Sequence, residues 1–270
     1  MRLDSHVHLW RYNEHEYPWI TEPMAAIRRD FMPDDWREAA EPLGFEGFIA
    51  VQARQSLEET QWLLELADQY PQIRGVVGWV DLRSPCVDEQ LEILCDHTKL
   101  VGIRHVLQDE ADDAFMLQDS FLRGIHRVGH CNLVYDILIF ARQLPATLEM
   151  VAHFPRQRFV LNHIGKPDLH SGEMEPWATQ MHELAGHENV WCKLSGMVTE
   201  GDRASWTPEG LRPYLDAVFG AFGAERLMIG SDWPVCLVAG SYADTMGVVM
   251  DYAGDDAGVL GENCARAYGR

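Results

Sequence analysis

The sequence predicts an α/β fold, a distorted TIM-like (β/α)8 barrel forming one domain over residues 1–270. Three observations carry this expectation. The 270 residues fit a single barrel of about 250 residues and are too few for two large domains. Eight short runs rich in Val, Ile and Leu alternate with longer amphipathic segments. Several of those runs are apolar at both parities, as parallel strands covered on both faces require.

In chain order the candidate strands are Leu3–His8, Phe45–Gln52, Ile73–Asp81, Lys99–Val106, Leu133–Ile139, Phe159–His163, Val190–Leu194 and Arg226–Ile229. Between the second and third, Leu63, Leu66, Ala67 and Tyr70 follow the i, i+3, i+4, i+7 spacing of a helix, which Pro71 stops. The same spacing runs through Leu211, Leu215, Val218, Phe219 and Phe222 up to Gly223. Helices are also expected over Asp88–His97 and Asp119–His130. An open doubly wound sheet is the alternative, weakened because no G-x-G-x-x-G follows the first strand. Two segments interrupt the rhythm. Leu9 to about Asp34 is aromatic and loop-like, and Pro167–Trp177 carries Pro, Gly and Ser. Each is a candidate lid over the barrel mouth or a packing segment at its rim.

Composition narrows the function classes. A formal charge of −20 repels phosphate backbones and anionic membranes, which argues against nucleic-acid or membrane-surface partners. No stretch resembles a membrane span: the most apolar run, Leu133–Phe140, is interrupted by Asp136 and falls far below ~20 residues. No basic region followed by an apolar core opens the chain, so no signal peptide is expected. The six cysteines show no paired zinc spacing and no C-x-x-C, which places the protein in a reducing, cytoplasmic compartment. A homo-oligomer is compatible with the sequence but not specified by it.

Ionisable residues gather at the ends of the strands. His6 and His8 form an H-x-H pair ending the first strand, where alternation puts both imidazoles on one side, able to share a divalent cation. Asp4 shares that parity and is expected to orient the pair from below. Asp232, in Gly230-Ser231-Asp232-Trp233-Pro234, follows the last strand. Alone it reads equally as a turn or cap. Barrel closure would bring it beside His6 and His8, as a ligand and a proton acceptor. His163 ends the sixth strand and Lys166 follows it; Arg104 and His105 end the fourth; Asp136 and Lys193 sit inside the fifth and seventh. One such residue would read as structural, but six strands placing them at one mouth favour a site. Trp19 and Trp233 are candidates to stack on an apolar substrate face. No H-E-x-x-H helix, G-x-S-x-G elbow or phosphate cradle is present.

Asp4-Ser5-His6-Val7-His8-Leu9-Trp10 resembles the opening of the amidohydrolase superfamily, in its amidohydrolase-related branch. Gly102–Val106, Asn162–Pro167, Cys192–Glu200 and Gly230–Cys236 narrow the resemblance to the sugar-lactone hydrolases of that branch, in order along essentially the whole chain. The resemblance implies a distorted barrel that opens an aldonolactone, with L-fuconolactone or a close epimer expected, by attack of an activated water on the carbonyl. It implies that His6, His8, His163 and Asp232 surround the reacting centre, with one divalent metal, Zn2+, expected there. The bridging lysine of dinuclear members has no counterpart in Arg104-His105. Metal-free catalysis, which related lactonases use, stays open. Asp232, His163, Arg104 and His105 are then the candidate catalytic residues, and Lys166, Lys193, Trp19, Trp233 and Asp136 the candidate substrate contacts. The alternatives are a metal-dependent non-oxidative decarboxylase of the same branch and a catalytically silent sugar-binding barrel.

Overall fold

A computed structural model describes residues 1–269. Its eight parallel strands lie side by side in chain order: β1 (Arg2–Val7), β2 (Phe45–Val51), β3 (Ile73–Gly78), β4 (Leu100–Val106), β5 (Val134–Leu138), β6 (Phe159–Leu161), β7 (Val190–Leu194) and β8 (Leu227–Ile229). Around them pack α1 (Pro33–Ala40), α2 (Leu57–Gln69), α3 (Val87–Cys95), α4 (Asp119–His130), α5 (Leu144–His153), α6 (Trp177–Ala185), α7 (Met197–Glu200), α8 (Pro208–Phe222), α9 (Tyr242–Ala253) and α10 (Asn263–Tyr268). This is a (β/α)8 barrel, and register irregularities between β1 and β4 distort it. No helix of the described residues is long and apolar enough to cross a membrane.

Local chemistry sets the element ends. The Ser56 hydroxyl accepts from Glu59 N and starts α2; Thr207 does the same for α8, which stops at Gly223 with φ +67°. β3 ends short of the expected Asp81 because Trp79 N turns to Thr60 Oγ1 of α2, at 2.8 Å. β6 ends at Leu161, short of His163, because His163, Ile164 and Lys166 adopt φ of 55°, 48° and 46°, which no strand accommodates.

Two apolar layers hold the barrel. Inside it, Leu3, Val51, Val77, Val101, Val134 and Met228 fill the floor, which Cys264, Ala267 and Tyr268 of α10 close. Outside it, Phe48 of β2 packs against Trp36 of α1, and Phe121 of α4 against Tyr135 of β5. Burying each such side chain contributes about 1.5–3 kcal/mol. The segment after β1 is tied down: Trp10 and Phe31 exchange main-chain hydrogen bonds at 3.1 and 2.9 Å, and the Tyr17 hydroxyl donates to Glu59 at 3.1 Å.

Closure between β8 and β1 is made mainly by the residues beyond β8. Val7 bridges Trp233, His8 N donates to Trp233 O at 2.7 Å, and Asp232 N donates to His6 O at 2.9 Å. The last strand's turn is thereby sewn onto the histidine-bearing end of the first.

Candidate active site

That closure builds the site. His6 Nε2 and His8 Nε2 lie 3.2 Å apart, and Asp232 Oδ1 lies 3.7 Å from the first and 3.3 Å from the second. His163 Nε2 approaches the same carboxylate oxygen at 3.9 Å. All four residues are buried at the C-terminal ends of their strands, the end at which barrels of this kind carry chemistry.

Each side chain has a dedicated support. His8 Nδ1 donates to Val51 O at 2.8 Å, which fixes its tautomer and leaves a lone pair on Nε2. Arg104, which only donates, places Nη1 3.2 Å from His6 Nε2, so that nitrogen also presents a lone pair. His163 Nδ1 is 2.8 Å from the Ser195 hydroxyl, and its ring occupies space left by Gly196. Gly196 has φ +69°, and a Cβ there would stand 2.5 Å from His163 Nδ1. Asp232 takes φ +57°, which re-aims its carboxylate toward the histidines; no helix begins at it.

Burial, and then the nearby Lys193 and Arg104 charges, hold His6 well below the ordinary imidazole value. Burial lowers His8 and His163 as well. The imidazoles are therefore neutral, as metal ligands must be. Burial pushes the Asp232 carboxyl up, but hydrogen bonding and the positive charge around it, Lys166 included, outweigh this and hold it below the usual range.

Two imidazole Nε2 atoms and a carboxylate oxygen thus converge, and Arg104 Nη1 stands against the first of them, where a bound ion would displace its hydrogen bond. Ligand bonds of about 2.0–2.1 Å in a tetrahedral site place neighbouring donor atoms about 3.3 Å apart. The observed separations of 3.2, 3.3 and 3.7 Å match that requirement. His6, His8 and Asp232 are also the one cluster of such donors among the described residues whose atoms all lie within 4.8 Å. This set fits a divalent metal.

The remaining candidates separate by the side of the strand they occupy. Arg104 points inward, 3% exposed, donating to Gln52 O and to Asn162 Oδ1. His105, its neighbour, points the other way. It stacks on Phe115 at 5.3 Å, meets Phe121 edge-on, and bonds Glu110 at 2.7 Å, so it lies in the layer between β4 and the helices and not in the mouth. Lys193 and Asp136 are fully buried and paired at 2.7 Å beneath His6, out of reach of a sugar. Lys166 pairs with Glu200 at 2.8 Å and stands over the Phe140 ring. Trp19 is partly exposed and meets Trp10 edge-on, whereas Trp233 is 2% exposed and packs against Phe31.

Asp4 also departs from simple alternation. Its carboxylate accepts from Trp36 Nε1 of α1 and the Tyr242 hydroxyl of α9, on the helix side of β1. It also accepts from His6 N at 3.1 Å and from Ser231 N and Oγ at 2.9 and 2.6 Å. Asp4 therefore holds both halves of the site through main chain, not from beneath the imidazoles. Sequence reasoning missed Ser195, Gln52, Asn162 and Tyr268 as supports. The signal available was position: Gln52, Asn162 and Ser195 lie at or just beyond the ends of expected strands, whereas Tyr268 had none.

The amidohydrolase family model matches residues 3–270. The L-fucono-1,5-lactonase of Burkholderia multivorans is 41% identical over 284 aligned residues, covering 99% of this chain and 96% of that protein. The L-fucono-1,5-lactonase of Burkholderia ambifaria is 39% identical, covering 90% of this chain and 83% of its own. A crystal structure of a Burkholderia multivorans amidohydrolase with bound zinc superposes with a TM-score of 0.96 at 41% identity, covering 100% of this chain and 99% of that one. With its histidine pair and closing aspartate on a full-length family match, this chain belongs to the amidohydrolase family.

Proposed function

We propose that this chain hydrolyses a sugar lactone, L-fucono-1,5-lactone or a close epimer, to the aldonic acid, with one Zn2+ held by His6, His8 and Asp232 and flanked by His163. The observation that carries the reading is the convergence of those donors within a chain 41% identical over its length to an L-fucono-1,5-lactonase. A divalent ion bound there supplies Lewis acidity, polarising a carbonyl and making water more acidic.

The chain's own residues do the rest. The oxygen of water adds to the lactone carbonyl carbon, and the Asp232 carboxylate accepts the proton that water loses. When the ring C–O bond breaks, Asp232 returns that proton to the departing ring oxygen, which leaves as a hydroxyl. His163, held by Ser195, offers Nε2 beside Asp232 to the carbonyl oxygen as negative charge develops. Arg104 supplies a fixed positive charge from below, and Lys166 another from the rim. His105 receives no role, because its ring is on the helix side of β4. Trp19 is the aromatic available to a sugar's apolar face; Trp233 shapes the wall behind Asp232. The substrate is neutral and the product anionic, so a chain of charge −20 repels the product once it forms.

A pH-indicator screen of aldonolactones with Zn2+ supplied tests the reading, with carbon dioxide detection alongside. Acid release above spontaneous hydrolysis is expected, fastest with L-fucono-1,5-lactone or an epimer. No acceleration across the panel would overturn it.

A further inference from the structure

His6 stands on a network that the reaction does not use directly. Asp136 of β5 is fully buried and accepts from three donor groups. The Tyr268 hydroxyl of α10 shares its one proton between the two oxygens, at 2.7 and 2.9 Å, Lys193 Nζ of β7 donates at 2.7 Å, and Asn162 Nδ2 donates at 2.9 Å. Two arms run from this carboxylate to His6. Lys193 Nζ reaches His6 Nδ1 at 3.3 Å. Asn162 Oδ1 accepts from Arg104 Nη1 at 3.2 Å, and the same Nη1 lies 3.2 Å from His6 Nε2. Both ring nitrogens of His6 are thus contacted by groups that converge on Asp136.

Stability alone does not account for this arrangement. Taking two ions out of water is costly, and apolar replacements of buried pairs are often neutral or stabilising. Metal-binding histidines ordinarily rest their second nitrogen on a carboxylate, carbonyl or water, which fixes the ring and sets ligand strength. Here Nδ1 faces no carboxylate: with Nε2 accepting, Nδ1 carries the proton and takes no hydrogen bond from the Lys193 ammonium, so Lys193 limits the ring by contact, and the Asp136 charge offsets an ammonium that would otherwise oppose a divalent cation.

We propose that Tyr268, acting through Asp136 and Lys193, is a positioning residue for the metal ligand His6, so that the helix closing the barrel floor helps set metal affinity at the mouth. The proposal rests on the reading of His6, His8 and Asp232 as a metal site. Tyr268 touches neither metal nor substrate. Its hydroxyl fixes Asp136, Asp136 fixes Lys193 and Asn162, and Lys193 and the Arg104 that Asn162 holds meet the His6 ring.

The experiment compares wild type with Tyr268→Phe and Asp136→Asn. Zn2+ affinity is measured by competition with a chromophoric chelator, ligand geometry by the visible absorption of the Co2+-loaded protein, and folding by thermal unfolding without metal. Losing a supporting group of this kind typically weakens metal binding roughly 10–100-fold. Tyr268→Phe, which removes one hydroxyl and keeps the ring, is expected near the low end with shifted Co2+ bands. Asp136→Asn, which leaves the Lys193 charge unmatched, is expected to weaken Zn2+ binding further. A purely structural plug would lower the unfolding temperature and leave Zn2+ affinity and the Co2+ spectrum unchanged in Tyr268→Phe, and that result overturns the proposal even if Asp136→Asn fails to fold. A wild type that binds no divalent ion overturns the metal reading and this proposal with it. Equal binding by wild type and Tyr268→Phe overturns the proposal alone.

Discussion

Asp232→Asn separates the chemical role of that residue from its architectural one. The backbone there has φ +57°, a conformation Asn adopts as readily as Asp, so the change adds no strain. The carboxylate faces His8 at 3.3 Å, His6 at 3.7 Å and His163 at 3.9 Å, and the turn that follows is closed by main-chain bonds such as Cys236 N to Asp232 O at 3.0 Å. The fold therefore loses little. The reaction loses its proton acceptor, because an amide oxygen cannot take a proton from water at neutral pH. General-base catalysis contributes roughly 10²–10⁴-fold, or about 2.7–5.5 kcal/mol of barrel-mouth transition-state stabilisation, and kcat should fall by at least the lower figure. Because the same oxygen is a proposed ligand, acid release from L-fucono-1,5-lactone is followed at saturating Zn2+, with bound metal and thermal unfolding measured on the same samples. A folded, metal-loaded variant with near wild-type kcat would refute the assignment. A variant that is slow only while metal is missing, and recovers on loading, would restrict Asp232 to holding the ion.

Three further outcomes are expected. Purified active protein should approach one equivalent of Zn2+ at this site, and His8→Ala should lose it; two ions in an anomalous-scattering map would contradict a mononuclear centre. Gly196→Ala should cost about 1–3 kcal/mol of stability and lower kcat, because the residue is at φ +69° and its Cβ would stand 2.5 Å from His163 Nδ1; unchanged turnover would show that the placement of His163 is unimportant. Burial, opposed by the Arg54 and Ala53 amides and Tyr17, raises the Glu59 carboxyl from 4.5 to about 7. The folded state therefore holds that proton more tightly than the unfolded chain, and this contribution, about 3 kcal/mol, is full below pH 4.5 and lost as pH rises to about 7. Glu59→Gln should flatten that slope in urea unfolding between pH 5 and 8, and identical slopes in the two proteins would dismiss it.

The strands and the ring of ionisable ends were legible in the sequence because both are local patterns. Val134 to Leu138 reads as a covered strand wherever it lies, and only Asp136 breaks it. The H-x-H pair and the Asp232 turn were legible for the same reason, since each is a few consecutive residues with a distinctive composition. Periodicity also separates Arg104 from His105 into opposite faces, but it does not say which face is inside. That is decided by closure, which turns Arg104 toward His6 and buries His105 against Phe115 and Phe121. Alternation failed outright for Asp4, where β1 is irregular and the carboxylate bonds His6 N two residues on, swinging it toward α1 and α9. Lys193 and Asp136 appeared as isolated charges in apolar strands because their partners are remote: Tyr268 is 132 residues from Asp136, and His6 is 187 from Lys193. A sequence read locally records that a charge is buried. Which opposite charge or ligand makes that burial tolerable is fixed only when the barrel closes and brings distant strands within hydrogen-bonding distance.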